Sequence, residues 1–144
     1  MTISTTVGEG DAALDQRLSH ELDAFNAAAM AAAGEQRELT VRIDDDRGLA
    51  AGISGWTWGL AAGIAMTWTR DDVRGAGLGA GLLAAFEAEA ARRGARVVYV
   101  TSFTFQAPVF YERNGYTEFA RWDSLPIAGE ADVHLRKELP EPAR

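Results

Sequence analysis

Val73-Arg-Gly-Ala-Gly-Leu-Gly-Ala-Gly-Leu-Leu83 is a glycine-rich turn that runs directly into an amphipathic helix, and its reading decides the fold. Gly75, Gly77 and Gly79 let backbone N–H groups approach an anion without Cβ obstruction, while the positive end of the following helix faces the same point. Arg74 adds a full charge beside it. The competing reading is a tight strand-to-helix turn that holds nothing. Downstream of the turn, Leu78, Leu82, Phe86 and Ala90 form an apolar stripe joined by Leu83, and Arg92-Arg-Gly94 supplies a basic last turn and a glycine stop.

Working outward, Arg96-Val-Val-Tyr-Val-Thr-Ser102 predicts a buried strand, and Pro108 suits the first position of a short helix ending at Gly115. Tyr116–Trp122 and Val133–Leu139 predict two last strands. Upstream, Leu49–Trp58 and Leu60–Thr69 predict a hairpin with Trp56-Thr-Trp-Gly59 at its tip, and Leu39–Ile43 alternates as a further strand. Asp44-Asp-Asp-Arg-Gly48 is expected to be a solvated turn. Asp11 is a good N-cap for a helix carrying Leu14, Leu18, Leu22, Phe25 and Ala29 at helical spacing. Ile3–Val7 predicts a short first edge strand. The order is strand, helix, three strands, helix, strand, helix, two strands, a mixed α/β (α+β) pattern. Its βαβ unit over residues 60–102 places the glycine turn at the C-terminal end of a strand.

At 144 residues the chain suits one domain, 1–144, that buries roughly 70% of the surface its unfolded form exposes. With no cysteine and only His20 and His134, thiol nucleophiles, thiolate zinc sites and disulfides are excluded and no metal is expected. The net charge of −7 is uneven, with ten acids against four bases over residues 1–50 but five arginines against four acids over residues 70–96. That balance disfavours nucleic acid, which needs a clustered basic face, yet leaves room for one anionic ligand at the glycine turn. Residues 48–69 carry no charge, but five glycines and several hydroxyl residues make them a poor membrane span. No secretory signal pattern is present, so the cytoplasm is the expected location.

Gly75-Ala-Gly-Leu-Gly-Ala80 satisfies a degenerate dinucleotide fingerprint, but no Asp or Glu occurs between Glu89 and Glu112 to hold a ribose. A P-loop is excluded because no Gly-Lys-Ser/Thr follows the glycines. Arg74-x-x-Gly77-x-Gly79 instead resembles the acyl-CoA pyrophosphate signature of the Gcn5-related N-acetyltransferases. Phe105-Gln-Ala-Pro-Val-Phe-Tyr-Glu-Arg-Asn-Gly-Tyr116 is similar to that family's fourth helix, and the order of elements matches across nearly the whole chain. The resemblance implies a mixed central sheet of about six to seven strands, splayed at the acyl-CoA site and flanked by three to four helices.

It also implies acetyl-CoA as cosubstrate and direct transfer to a primary amine. Main chain near Met66, Thr67 and Trp68 would hold pantetheine, and the amides of Arg74, Gly75, Ala76, Gly77, Leu78, Gly79 and Ala80 the pyrophosphate, with Gln106 and Phe110 on the neighbouring helix. A strand N–H near Met66 or Thr67 would stabilise the developing oxyanion. Tyr111 matches the family's general acid, the other reading being a helix tyrosine packed beside Phe110. No Asp or Glu lies between Arg47 and Arg70, so the strand that often supplies the family's base supplies none. Glu118, Asp123 and His134 are the base candidates, with a water relay as the alternative, and His134 reads equally as an exposed strand histidine.

Phe25, Trp56 and Trp58 are acceptor-pocket candidates, although core packing accounts for them as well. An acidic domain favours a small cationic amine as acceptor. A non-catalytic acyl-CoA sensor and a dinucleotide-binding module are the competing functions. A homodimer accords with the family resemblance, the final strands offering an edge.

Overall fold

Asp11 begins the first helix as its sequence position predicts: its carboxylate accepts from the Leu14 N–H at 2.9 Å and caps α1 (Ala12–Ala33), which stops at Gly34 with φ +75°. The computed structural model describes residues 1–141 and comprises two units, Met1–Gly34 and the residues that follow. No residue of α1 is buried. Ile3–Val7 is not a strand. β-propensity is realised through cross-strand partners, and this five-residue run, followed by Gly8 and Gly10, has none in the sheet.

The second unit is one sheet with two helices. Its strands are β1 (Arg37–Asp45), β2 (Gly48–Trp58), β3 (Ala61–Thr69), β4 (Val97–Phe103), β5 (Thr117–Asp123) and β6 (Ala131–Glu138), in the order β1-β2-β3-β4-β6-β5. All pairs are antiparallel except β3 with β4, which α2 (Leu78–Arg92) connects. α3 (Pro108–Arg113) follows β4, and Pro108 opens it as expected because its missing N–H costs nothing at that position. Among the described residues, six strands and three α-helices thus make the predicted mixed α/β fold. Among the described residues no helix is long and apolar enough to cross a membrane.

α2 covers one face of the sheet. Leu82, Leu83 and Phe86 are almost wholly buried there, each stabilising the docked helix by about 1.5–3 kcal/mol. Gly55 permits that close approach, and Gly63 makes room for the Trp56 ring on the opposite face. A Cβ on Gly55 would lie 2.0 Å from the Gly63 carbonyl oxygen and 3.0 Å from the Phe86 ring, and one on Gly63 would lie 2.5 Å from the Trp56 ring. β4 alternates rather than being buried throughout: Val98, Val100 and Ser102 are buried, whereas Tyr99 and Thr101 lie on the other face and are exposed. Coverage by α2 and α3 on one side of the sheet produces that alternation.

One departure from regularity positions the site. β3 and β4 pair only from Ala61/Val97 to Ile64/Val100, after which the strands part. At the same level a register shift on the other edge of β3 sets Ser54 opposite Met66 and Gly55 opposite Ile64, leaving Ala65 as the extra residue of a bulge. The sheet is therefore open between Ala65–Thr69 and the end of β4. Alternate N–H and C=O groups of that half of β3 point away from β2 into the opening.

Candidate active site

The opening is a cleft of about 990 Å³ whose walls are Ala65–Thr69 of β3, Val100–Ser102 of β4, the glycine turn and α3. Gly75 and Gly77 adopt φ of +82° and +81°, and a Cβ on either would meet nothing within 4 Å. Their glycine identity therefore answers to backbone conformation. Gly79 differs: its φ is ordinary, but a Cβ would sit 2.9 Å from the Phe110 ring, so α2 and α3 touch through it.

The helix start beyond the turn has no capping side chain and no acid in its first turn. The N–H groups of Leu78, Gly79 and Ala80 consequently lack intrahelical acceptors and line or adjoin the cleft with the positive end of the helix dipole. Arg74 stands beside them, half turned back: its Nε donates to the Thr69 carbonyl at 3.2 Å and its Nη2 pairs with Asp71 at 3.0 Å. Arg113 and Asn114, which sequence reasoning missed, also line the cleft. Such donors can receive an anion, and the opening between the parted strands leads away from them. An acyl-CoA pyrophosphate and pantetheine fit that donor set; a nicotinamide dinucleotide would still lack its ribose acid.

Tyr111 stands across the channel from β3. It is buried, its hydroxyl donates to Thr67 Oγ1 at 3.2 Å, and its ring meets Phe110 and Tyr116 edge-on at 5.1 and 5.6 Å. Burial pushes the phenol above its ordinary pKa, with the Thr67 hydroxyl opposing in part, so Tyr111 keeps its proton near neutral pH. Behind it, Tyr116 donates to Glu87 at 3.2 Å and Lys137 Nζ donates to the same carboxylate at 2.7 Å. Burial, then the Glu87 charge, drives the Tyr116 phenol far upward. Both readings of Tyr111 hold geometrically, since it packs beside Phe110 and also faces the channel.

Met66, Thr67, Trp68, Arg74, Gly75, Gly77, Leu78, Gly79, Ala80, Gln106, Phe110 and Tyr111 all line this cleft, whereas Ala76 lies in the turn without lining it. Gln106 spends its Oε1 within the turn after β4, accepting from the Phe103 N–H at 3.0 Å. Trp56 and Trp58 do not line the cleft. Trp56 packs over Gly63 and edge-on to Tyr99 at 5.4 Å, and Trp58 ends β2 at the far side of the sheet. Phe25 is an exposed residue of α1.

The three base candidates separate in space. Glu118 is on β5 and is bound by Arg121 at 2.7 Å. Asp123 ends β5 and lines a different, smaller hollow with Thr104, Arg121 and Glu130. His134 lies on β6 directly opposite Thr101, which lines the cleft, and its Nε2 is 3.1 Å from Asp132 Oδ2.

Asp44-Asp-Asp-Arg-Gly48 is more than a solvated turn. β1 continues through Asp45, whose carboxylate receives Arg70 Nη2 at 2.5 Å. Arg70 also donates to Asp72 at 2.5 Å and to the Leu49 carbonyl at 3.1 Å, and Arg47 reaches Asp72 at 2.6 Å. These bonds tie the β1–β2 turn to the segment leading into the glycine turn. Hydrogen bonding from Arg70 holds both Asp45 and Asp72 below the usual carboxylate range.

Comparison with known proteins agrees with this geometry. The family model of the acetyltransferase (GNAT) domain matches residues 35–118. Acetyltransferase Atu2258 of Agrobacterium fabrum is 29% identical over 128 residues, which is 88% of this chain and 92% of that protein. The crystal structure of an acetyltransferase from Bacillus cereus shares the fold with a TM-score of 0.81 at 24% identity, covering 94% of this chain and 98% of that one. An aminoglycoside 6'-N-acetyltransferase complexed with coenzyme A shares it with a TM-score of 0.66 at 17% identity, covering 92% and 95%.

Proposed function

The chain belongs to the GNAT acetyltransferase family, and we propose that it carries an acetyl group from acetyl-CoA directly to the primary amine of a small, cationic molecule. The supporting observation is the uncapped, acid-free start of α2 at one end of a channel that opens between β3 and β4 and has the Tyr111 hydroxyl in its wall. The cradle from Arg74 to Ala80 binds the pyrophosphate. The outward N–H and C=O groups of Met66, Thr67 and Trp68 bind the pantetheine amides and lay the thioester where the strands part.

In that position the amine nitrogen, in its neutral form, attacks the thioester carbonyl carbon and gives up a proton to a base. The C–N bond forms and the carbonyl π pair moves to oxygen, where an N–H of the Ala65–Thr67 segment stabilises it. The intermediate collapses by re-forming the carbonyl and breaking the C–S bond, and the sulfur leaves with the bonding pair. Tyr111 gives that sulfur its proton. A phenol with an ordinary pKa near 10 can protonate a thiolate whose parent thiol lies near 8.5 only when the sulfur is held against it, and burial in the channel wall supplies that placement.

Two measurements test the reading. Thermal unfolding with CoA, acetyl-CoA, longer acyl-CoAs and NAD is expected to show stabilisation by the CoA compounds alone, since a ligand at a hundred times its Kd adds about 2.7 kcal/mol. Free thiol is then expected from acetyl-CoA with at least one class of small cationic amine. Binding of acetyl-CoA without thiol release from any amine class would overturn the transferase, and stabilisation by NAD but not CoA would overturn the cosubstrate.

A further inference from the structure

The geometry points to His134 as the base that takes the acceptor's proton, with Asp132 as the residue that positions it; this rests on the acetyl-transfer reading above. The two faces of the sheet do different work. Val98, Val100 and Ser102 of β4 are buried toward α2 and α3, and Thr67 of β3 meets Tyr111 on that same side. Thr101 points to the opposite face, as do Met66 and Trp68, whose register partners Ser54 and Gly52 alternate with the core residues Ile53 and Gly55. Met66, Trp68 and Thr101 all line the cleft, so it has a second mouth on the face away from the helices.

His134 does not line the cleft but stands one strand back from that mouth. It is the register partner of Thr101, and directly opposed side chains on one sheet face have Cβ atoms about 4.5–5.5 Å apart. An amine entering from this face would meet the thioester from the side opposite Tyr111, with the proton acceptor behind the attacking nitrogen and the proton donor beside the leaving sulfur. Glu118 and Asp123 have no such placement: one is bound by Arg121 and the other faces a separate hollow.

Asp132 fixes which ring nitrogen is free. It lies two residues before His134 on the same face, and its Oδ2 is 3.1 Å from His134 Nε2. A carboxylate only accepts, so in the neutral ring this contact places the proton on Nε2 and leaves the Nδ1 lone pair for the amine. The other oxygen of Asp132 is buried and has no partner among the described residues. Burying an unpaired carboxylate oxygen is unfavourable, and a rotation toward solvent would relieve it. The contact with His134 is what the buried placement supplies. The charged and titratable groups facing the ring are Asp132 and Arg136 on β6 and Tyr99 on β4, opposite Arg136. β5 faces it with Phe119, edge-on at 6.2 Å, with Ala120 and with Trp122.

The proton balance closes. His134 Nδ1 takes one proton from the amine nitrogen as the C–N bond forms, Tyr111 gives one to the departing sulfur, and a proton returning through solvent from the imidazolium to the phenolate restores both groups. The products are the N-acetylated amine and CoA thiol.

The test uses His134→Gln, Asp132→Asn and His134→Ala with added imidazole. His134→Gln is expected to lower kcat by about a hundredfold or more, with the KM for acetyl-CoA within about twofold of the unsubstituted protein. Asp132→Asn should lower kcat by about tenfold, and ¹⁵N spectra of the imidazole should change from a single Nε2–H tautomer to a mixture. Imidazole should restore part of the turnover of His134→Ala, which keeps the test open should the glutamine variant fail to fold. A kcat for His134→Gln within about threefold of the unsubstituted protein overturns the base, and an unchanged tautomer in Asp132→Asn overturns the positioning role. An unsubstituted protein that binds acetyl-CoA yet transfers to no amine overturns the parent reading instead, and the base with it.

Discussion

In the proposed mechanism the Tyr111 side chain serves packing and chemistry together, and kinetics separates the two. Removing only the hydroxyl, as Tyr111→Phe does, leaves the ring against Phe110 and Tyr116 while deleting the proton and the bond to Thr67. The expected result is a kcat lowered by about a hundredfold with unchanged acetyl-CoA affinity, measured by thiol release and calorimetry. Because burial raises the phenol's pKa, loss of the Tyr111 proton should contribute no fall in kcat below about pH 10, which a pH–rate profile checks. Arg74 offers the opposite experiment. In the free protein it pairs with the exposed Asp71, and an incoming pyrophosphate must compete for it. Asp71→Asn should therefore tighten CoA binding by about twofold to threefold at low salt, the scale of one surface ion pair, and the gain should fade at high salt.

Among the elements, the glycines divide by what each one spares. Gly63 spares the Trp56 ring and Gly79 spares the Phe110 ring. Gly63→Ala overpacks the sheet and should cost about 1–3 kcal/mol of stability with CoA affinity preserved, whereas Gly79→Ala pushes Phe110 at the cleft wall and should weaken CoA binding as well. Denaturant titration beside calorimetry on both variants distinguishes the two effects. The same pair explains what could be read from the chain beforehand. Composition and spacing marked α1, α2 and the strands of the sheet, although α1 and β5 bury no residue; Asp11, Pro108 and Gly94 marked ends. The partner of Gly79 could not be read that way, since Phe110 reaches it from another helix. Arg70 and Asp45 are 25 residues apart and leave no spacing signal, which is why three aspartates looked like a plain turn. Ile3–Val7 failed for the converse reason: its composition favours a strand, but a strand exists only with a partner. At the site, the glycine turn was legible because the positive φ of Gly75 and Gly77 demands glycine there, while the placement of His134 opposite Thr101 depends on sheet register and leaves no local signal.

Over the whole molecule, the acidic side chains are organised by arginine, and this gives the fold a defined acid limit. Asp44 is held low by Arg42, Asp45 and Asp72 by Arg70, and Glu89, bridged by Arg92 and Arg93 at the end of α2, is pulled down to about 2. Each of these groups has a lower pKa folded than unfolded, so the unfolded chain binds protons first as pH falls. Their contribution is therefore complete above the unfolded carboxylate range near pH 4–4.5 and is lost as pH falls through the folded values toward about 2. Asp44, Asp45 and Asp72 are solvent-exposed and Glu89 is partly so, so screening keeps each contribution small and makes it salt-dependent. The unfolding midpoint should be level with respect to these groups from pH 7 to about 5 and should decline between about 4.5 and 2. Glu89→Gln separates one member from the rest. It should unfold at a lower temperature than the unsubstituted protein at pH 7, and the two midpoints should converge at pH 2, where Glu89 is itself becoming protonated. A gap that stays constant from pH 7 to pH 2 would show that Glu89 acts through packing of its side chain and not through its charge.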